Sequence, residues 1–333
     1  MSDGKVQKGS PGIYDEASPS ERDRRLRIAT HIPIAHLGAL PAARPDLEWI
    51  EVPASGPVAA AAPFDVLLTP PYGTPNLPAL LAQGVRWVHA YGTGVDGFPF
   101  GVLGDVPLTC SRGASATAIS EWVMAVLLAA EKRLPEIWLS APPERWYMAE
   151  LGSLAGRRLA LVGFGGIARA IARRALPFEM SIRALRRTRA PSPIPEVELV
   201  TDLEALLDGA DHVVLAAPET PATRRMIDDA AFAAMKPGVH LVNVARGPLV
   251  DHDALRRALD GGRVGLATLD CVEPEPLPEG HWLYAHPRVR LSPHVSWCAP
   301  ASRGGLVEPF LENVERFLRG EPLANRVDPG EGY

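Results

Sequence analysis

The sequence predicts an α/β protein of two domains, each a doubly wound parallel sheet with helices on both faces. Short apolar runs typical of strands alternate with helical segments between about residues 26 and 291, which favours parallel sheets over other arrangements. A glycine-rich turn at 163–166 connects one of these strands to a helix. The length of 333 residues is enough for two separate cores.

The first series of predicted elements follows a polar segment rich in Gly, Ser and Pro. We expect residues 1–24 to form a flexible tail. Strands are predicted at 26–30, 64–69, 86–90 and 108–110, and helices at 77–83 and 114–134. The turn at 91–96 follows the third strand, and its amides could form an anion-binding concavity, with an ordinary glycine turn as the alternative.

The second series begins after a Pro- and Trp-bearing connection at 135–146. Strands are predicted at 158–162, 182–185, 213–217, 240–244, 264–269 and 289–291, and helices at 168–175, 203–207, 228–235 and 253–259. A last helix at 305–318 is expected to return to the first domain. The predicted substrate domain therefore combines 25–114 with 298–333, the predicted dinucleotide-binding domain spans 115–297, and a cleft separates them.

Composition excludes several classes of function. The net charge of −5 provides no basic field for nucleic acid or an anionic membrane surface, and the apolar stretches are too short to span a bilayer. The cysteines, Cys110, Cys271 and Cys298, are few and widely spaced. This pattern argues against a disulfide framework or a metal site and indicates a reducing cytoplasm.

Three side chains follow the ends of separate predicted strands and form the candidate catalytic group: Arg246, Glu275 and His294. Open α/β sheets bind ligands at this carboxyl edge. A guanidinium can hold the carboxylate of a 2-keto acid, and an imidazole can exchange a proton with the keto oxygen. The carboxylate would stabilise the protonated imidazole. The sequence therefore predicts reduction of a 2-keto acid.

The glycine-rich turn predicts the dinucleotide site. Gly163 permits the tight strand-to-helix turn, and Gly165 lets the backbone approach a pyrophosphate. The amides of Gly166 and Ile167 then lie at the start of the helix, where they can bind the anion. Ala168 stands at the third glycine position and serves helix–strand packing.

The residues after the next predicted strand indicate which dinucleotide is preferred. An acidic residue that binds the ribose is expected about 20 residues past the glycines. Arg186, Arg187 and Thr188 stand there instead. Because Arg can bind a 2′-phosphate in a bidentate fork, we expect NADP(H) to be preferred, with NAD(H) as the other cofactor; a solvated basic loop is the alternative.

Together these motifs resemble the D-isomer-specific 2-hydroxyacid dehydrogenase family, from about Thr69 to Asp328. Its segments occur in family order: the glycine turn, 218–223, 235–238, 244–247, Asp270 with 275–276, and 292–294. The resemblance implies two Rossmann-like domains. It also implies that Arg246 binds the substrate carboxylate, that His294 is the general acid/base, and that Glu275 hydrogen-bonds it.

Further site residues are implied by the same resemblance. The amides of Thr93 and Gly94 would contact the substrate carboxylate, and Asp270 would hold the nicotinamide carboxamide. The residues that would lie along the cofactor, besides the glycine turn, are Ala217, Pro218, Thr223, Val244, Ala245, Arg246 and His294. A homodimer is also implied.

Two departures from the common family pattern shape the expected function. Arg186 resembles the NADPH-preferring glyoxylate and hydroxypyruvate reductases. Trp297 is not general in the family, and either lines the substrate pocket or packs in the domain hinge. We therefore expect reduction of glyoxylate, hydroxypyruvate or a related small 2-keto acid to the D-2-hydroxy acid. The alternatives are an NAD(H)-sensing corepressor of the C-terminal-binding-protein type and a formate or phosphite dehydrogenase.

Overall fold

The computed structural model describes residues 25–58, 63–146, 149–187 and 191–333, with the side chains of 300–304 excepted. The predicted N-terminal tail lies outside these residues. The described residues form two parallel sheets, and helices connect successive strands within each sheet.

The first sheet contains five strands in the order β2-β1-β3-β4-β5. Their bounds are β1 Leu26–Thr30, β2 Leu47–Glu51, β3 Val66–Thr69, β4 Trp87–Ala90 and β5 Leu108–Cys110. Every pairing is parallel. The edge strand β2 was not predicted, because Glu48 and Glu51 interrupt its apolar pattern.

The second sheet contains seven strands in the order β12-β11-β10-β9-β6-β7-β8, again all parallel. The bounds are β6 Arg158–Val162, β7 Ser181–Leu185, β8 Val197–Val200, β9 His212–Leu215, β10 Val239–Asn243, β11 Val264–Leu269 and β12 Val289–Leu291. The predicted α/β class with two doubly wound parallel sheets is confirmed.

Helices connect the strands on both faces of the sheets. They are α1 Leu40–Ala43, α2 Leu77–Leu81, α3 Ala116–Glu131, α4 Gly166–Ala175, α5 Leu203–Leu207, α6 Asp229–Ala234, α7 His252–Asp260, α8 Trp282–Ala285 and α9 Pro300–Leu318. Asp202, Asp228 and Asp251 begin α5, α6 and α7, and each carboxylate accepts a hydrogen bond from a backbone amide of the first turn. No helix among the described residues is long and apolar enough to cross a membrane.

The C-terminal part of the chain returns to the first sheet. Phe310 of α9 stacks on Trp87 of β4 with ring centroids 5.3 Å apart, and both side chains are fully buried. The segment after α9 runs along β5, where Leu108 accepts a hydrogen bond from the amide of Val327 at 2.9 Å. The helix α3 packs instead with α4 against the second sheet. The exact domain boundaries at 114/115 and 297/298 stay a prediction.

Because all strands of the second sheet are parallel, their carboxyl ends lie along one edge. The segments that follow β6, β9, β10, β11 and β12 therefore emerge at the same edge. The predicted site residues all belong to these segments, to the segment after β7, or to the turn after β4.

Candidate active site

The segment after β10 carries Arg246 and is fixed by a buried amide. Asn243 Nδ2 donates to the carbonyl oxygen of Arg246 at 2.9 Å and to that of Cys271 at 3.2 Å, while its Oδ1 accepts from the Ala245 amide at 3.0 Å. A Cβ on Gly247 would lie 2.0 Å from the backbone of Val272. Only glycine allows this close approach, which ties the segment after β10 to the segment after β11.

The Arg246 guanidinium reaches from the second sheet to the turn after β4. Its Nε and Nη2 each lie 2.9 Å from Asp96 Oδ1, and Nη1 donates to the Ala245 carbonyl at 2.8 Å. A Cβ built on Gly94 would lie 1.5 Å from Nη2. Burial, the largest influence, lowers the pKa of Arg246, but the hydrogen bond and charge of Asp96 outweigh it and raise that pKa overall. Arg246 is therefore a fixed cation between the two sheets.

The structure brings His294 and Glu275 together. His294 Nδ1 lies 2.8 Å from Glu275 Oε2, and Glu275 Oε1 accepts from the Val272 amide at 3.0 Å. With Nδ1 facing the carboxylate, Nε2 is the nitrogen that can exchange a proton with a ligand. Both side chains are 38% exposed, so a ligand can reach the pair.

The Asp270 carboxylate holds the loop that carries His294. It accepts from Ser292 Oγ at 2.6 Å and from the amides of Val295 and Ser296 at 2.9 and 3.0 Å. The His294 amide also donates to the Asp270 carbonyl at 3.0 Å, which supports His294 at its left-handed φ of 55°. These bonds explain the burial of Asp270. Its predicted contact with a nicotinamide carboxamide stays a prediction.

Trp297 supports the same loop from the other side. Its Nε1 donates to the His294 carbonyl at 2.9 Å, and its ring packs against the apolar cluster formed by α3, α4 and the second sheet. Of the two roles predicted for Trp297, these contacts are packing contacts rather than contacts with a substrate. A contact with substrate stays a prediction.

Electrostatics link the two halves of the site. Glu275 and Cys271 both raise the pKa of Arg246, and burial raises the pKa of the Cys271 thiol, with Asp270 and Glu275 adding to it. The candidate catalytic residues thus share one region.

Cys271, Glu275 and His294 also place ligand atoms within 4.8 Å of one another. The expectation of no metal site stays a prediction.

The glycine turn packs closely against the segment after β9. Gly163 has φ of 96°, and its Cβ would lie 2.9 Å from the Ala216 carbonyl oxygen and 3.0 Å from the Ala217 amide nitrogen. Gly165 precedes α4, and a Cβ there would meet nothing within 4 Å. The amides of Gly166 and Ile167 begin this ten-residue helix, whose N-terminal end favours an anion.

The segment after β9 lies against this turn. Ala217 is buried, Pro218 is exposed, and Thr223 Oγ1 donates to the Pro218 carbonyl at 2.7 Å, which closes the loop. Val244 and Ala245 are buried at the neighbouring strand end. On the first sheet, Thr93 Oγ1 donates to the Ser111 carbonyl at 3.1 Å. Ala217, Pro218, Thr223, Val244 and Ala245 follow strands of the second sheet. Their contact with a cofactor, and that of Thr93 with a substrate, stay predictions.

Of the predicted phosphate-binding residues, Arg186 and Arg187 follow β7. The Arg186 amide donates to the Val200 carbonyl at 3.0 Å. The exposed Arg187 guanidinium pairs with Glu331, and this hydrogen bond raises the pKa of Arg187. Thr188 lies outside the described residues.

Sequence reasoning missed two residues of the site. Asp96 contacts Arg246 although 150 positions separate them, and no local pattern connects such a pair. From the sequence, Cys271 contributes only to the prediction of a reducing compartment. Its position between Asp270 and Glu275 was the available signal, because those residues were themselves candidates.

Known proteins resemble this chain in sequence and in structure. Residues 124–296 match the family described as D-isomer specific 2-hydroxyacid dehydrogenase, NAD binding domain. The glyoxylate reductase of Thermofilum pendens is 31% identical over 251 residues, which cover 72% of this chain and 74% of that protein.

Two solved structures show the same architecture. A D-isomer specific 2-hydroxyacid dehydrogenase from Xanthobacter autotrophicus Py2, in complex with NADPH and MES, superposes with a TM-score of 0.79 at 27% identity, covering 93% of this chain and 100% of that one. The NADPH-dependent glyoxylate/hydroxypyruvate reductase of Sinorhizobium meliloti, in complex with NADP and sulfate, gives 0.76 at 26% identity, covering 92% and 99%.

Proposed function

Because the chain belongs to the D-isomer-specific 2-hydroxyacid dehydrogenase family and is an NAD(P)-dependent oxidoreductase, we propose that it reduces glyoxylate, hydroxypyruvate or a related small 2-keto acid to the D-2-hydroxy acid. The observation that carries the proposal is the 2.8 Å contact between His294 and Glu275 beside the cation of Arg246. Besides a hydride, reduction of a 2-keto acid requires a proton donor for the keto oxygen and a cation that binds the carboxylate, both in one region.

The residues of the glycine turn fit a dinucleotide. Gly163 allows the turn to pack against the backbone of Ala216 and Ala217, and the start of α4 presents amides without a side chain at Gly165 or Gly166. The nicotinamide cofactor supplies the hydride when bound. Val244, Ala245, Ala217 and Pro218 would border it at the strand ends, and Asp270 and Thr223 are proposed to lie along it.

The keto acid would be held by its carboxylate. Arg246 supplies the positive charge, and the amides of Thr93 and Gly94 would complete the anion site. Placed this way, the keto oxygen would face His294 Nε2, which donates a proton as negative charge develops on that oxygen. Glu275 holds the imidazole by Nδ1 and stabilises its charged form during the cycle.

The preference for NADP(H) over NAD(H) is part of the proposal. It rests on Arg186 at the end of β7 and on the absence of an acidic residue at the expected ribose-binding position. Arg187 would contribute only if its guanidinium leaves Glu331.

The experiment follows A340 with NADPH against glyoxylate, hydroxypyruvate, pyruvate and a bulkier keto acid. We expect oxidation with at least one small keto acid and a D-configured product. His294→Ala should lower kcat by about 10²–10⁴-fold while leaving NADPH binding unchanged. His36→Ala, at an exposed position on the first sheet's side of the molecule, is the matched control. Unchanged turnover in His294→Ala would remove this residue from the mechanism.

We also infer a homodimer in the cytoplasm. The dimer rests on the family resemblance alone, and the compartment on three cysteines that are all free in the structure. Light scattering after size-exclusion chromatography tests the dimer: a monomeric mass at micromolar concentration would contradict it.

A further inference from the structure

An unexpected carboxylate fixes the candidate anchor for the substrate. Asp96 lies in the turn after β4; its Oδ1 accepts a hydrogen bond from Nε of Arg246 at 2.9 Å and forms an ion pair with Nη2 at 2.9 Å. No role for the Asp96 side chain is predicted from the sequence. We propose that Asp96 is a positioning residue that holds the Arg246 guanidinium in the orientation needed to bind the keto acid's carboxylate. This inference rests on the proposed function.

The donors of Arg246 divide between protein and ligand. Asp96 Oδ1 accepts a hydrogen bond from Nε and lies 2.9 Å from Nη2 as an ion pair, and the Ala245 carbonyl accepts one from Nη1. Of the five N–H groups of a guanidinium, the two hydrogen bonds among the described residues leave one on Nη1 and both on Nη2. A guanidinium can present two such N–H groups side by side to the two oxygens of a carboxylate. Asp96 therefore determines which edge of Arg246 faces a ligand.

The position of Asp96 is itself well defined. Its neighbours Val95 and Phe98 are buried in the core of the first sheet, and the Phe98 amide donates to the Val95 carbonyl at 2.9 Å. The absence of a side chain at Gly94 lets the guanidinium lie directly against the turn. Arg246 has several rotatable bonds, so a rigid partner is needed to hold its end in one place.

Asp96 has two opposing effects on an anionic substrate. Its charge repels the substrate carboxylate, whereas its contacts orient the cation that attracts it. The side chains of Asp96 and Arg246 are 34% and 27% exposed, so water screens the repulsion. Orientation depends on direct contacts at 2.9 Å and is not screened in this way. We therefore expect the positioning effect to dominate.

Two substitutions separate charge from positioning. Asp96→Ala removes both and should raise the KM for the keto acid at least tenfold, with a smaller fall in kcat and unchanged affinity for NADPH. Asp96→Asn keeps an oxygen acceptor and should stay within about threefold of the wild type in KM. If Asp96→Ala does not fold, as judged by its Tm, Asp96→Ser takes its place.

A double-mutant cycle tests whether Asp96 acts through Arg246. In the Arg246→Ala background, Asp96→Ala should have no further effect on KM. Two results would overturn the proposal: a KM for Asp96→Ala within threefold of the wild type, or a full effect that persists in the Arg246→Ala background. A merely structural role would lower Tm in both backgrounds without moving KM selectively.

The same measurements distinguish failure of this inference from failure of the proposed function. If the wild type reduces keto acids and Asp96→Ala behaves like it, only the role of Asp96 is wrong. If the wild type neither reduces any of the four keto acids nor binds oxamate, an unreactive amide analogue followed through NADPH fluorescence, both are wrong. If oxamate binds without turnover, its dissociation constant replaces KM in the cycle.

Discussion

Adding one methyl group at Gly94 should displace the Arg246 guanidinium and impair keto-acid reduction. The new Cβ would lie 1.5 Å from Nη2, 2.7 Å from Cζ and 3.1 Å from Asp96 Oδ1. Ordinary contact needs about 3.5 Å, so the guanidinium must move by about 2 Å. This shift would break the contact with Asp96 and any bidentate contact with a substrate carboxylate. Hydrogen bonds to charged groups contribute about 1.5–3 kcal/mol each, so the loss of the two bonds of a bidentate contact predicts a fall in kcat/KM of about 10²–10⁴-fold.

The assay measures kcat/KM for the best keto acid and the dissociation constant of NADPH for Gly94→Ala. NADPH binding should be unchanged, because the glycine turn lies on the second sheet. Gly97→Ala is the matched control: it adds the same methyl three residues away, where the nearest atom would be Tyr72 Cβ at 3.8 Å. A folded Gly94→Ala variant with wild-type kcat/KM would refute the assignment of Arg246 as the substrate anchor.

Three further predictions concern the cofactor, acid stability and the thiols. Arg186→Asp should reverse the ratio of NADPH to NADH efficiency, whereas Arg186→Ala should weaken NADPH use without improving NADH; an unchanged ratio in both would contradict the phosphate-binding role. Burial lowers the pKa of His89 in the folded protein to about 3, whereas in the unfolded chain it stays near the ordinary value of 6.5. Between these two values the unfolded chain binds one proton more than the folded protein, so the free energy of unfolding falls by about 1.4 kcal/mol for each pH unit of acidification. Urea unfolding at pH 7 and 5.5 should therefore show a smaller difference in the free energy of unfolding for His89→Gln than for the wild type. An equal difference in the two proteins would refute this account. A disulfide reagent should modify only the exposed Cys298 in the folded protein, because Cys110 and Cys271 are buried and burial raises their pKa values; Cys298→Ser should then show no rapidly reacting thiol.

Most of the second sheet could be predicted because its inner strands β6, β9, β10 and β11 are largely buried, and because the short edge strand β12 is an uninterrupted Val-Arg-Leu run before Pro293. The bounds of β6, β11 and β12 match the predicted 158–162, 264–269 and 289–291. The edge strands β2 and β8 were missed, since partial exposure lets Glu48 and Glu198 interrupt their apolar runs. The helix α4 begins at Gly166, two residues before the prediction, because glycine gives no local signal of a helix.

The candidate site could be predicted only where its residues immediately follow strands. Arg246, Glu275 and His294 each come shortly after an apolar run, so the parallel topology alone places them at one edge. Their specific roles stay a proposal. The pairs Asp96–Arg246 and Arg187–Glu331 join positions 150 and 144 residues apart. Such contacts depend on how the two sheets face each other, which local sequence patterns do not encode.

The packing of α9 on the first sheet has a consequence for biosynthesis. A ribosome makes β1 to β5 long before Phe310, yet Trp87 has its stacking partner only when α9 has emerged. The hydrogen bonds from the Cys110 amide to the Asn325 carbonyl and from the Val327 amide to the Leu108 carbonyl form later still. The second sheet, whose strands are all complete by Leu291, can therefore assemble first on the nascent chain. Until α9 has been synthesised, the apolar face of the first sheet that contains Trp87 lacks its cover, and exposed apolar surface of this kind promotes aggregation during folding.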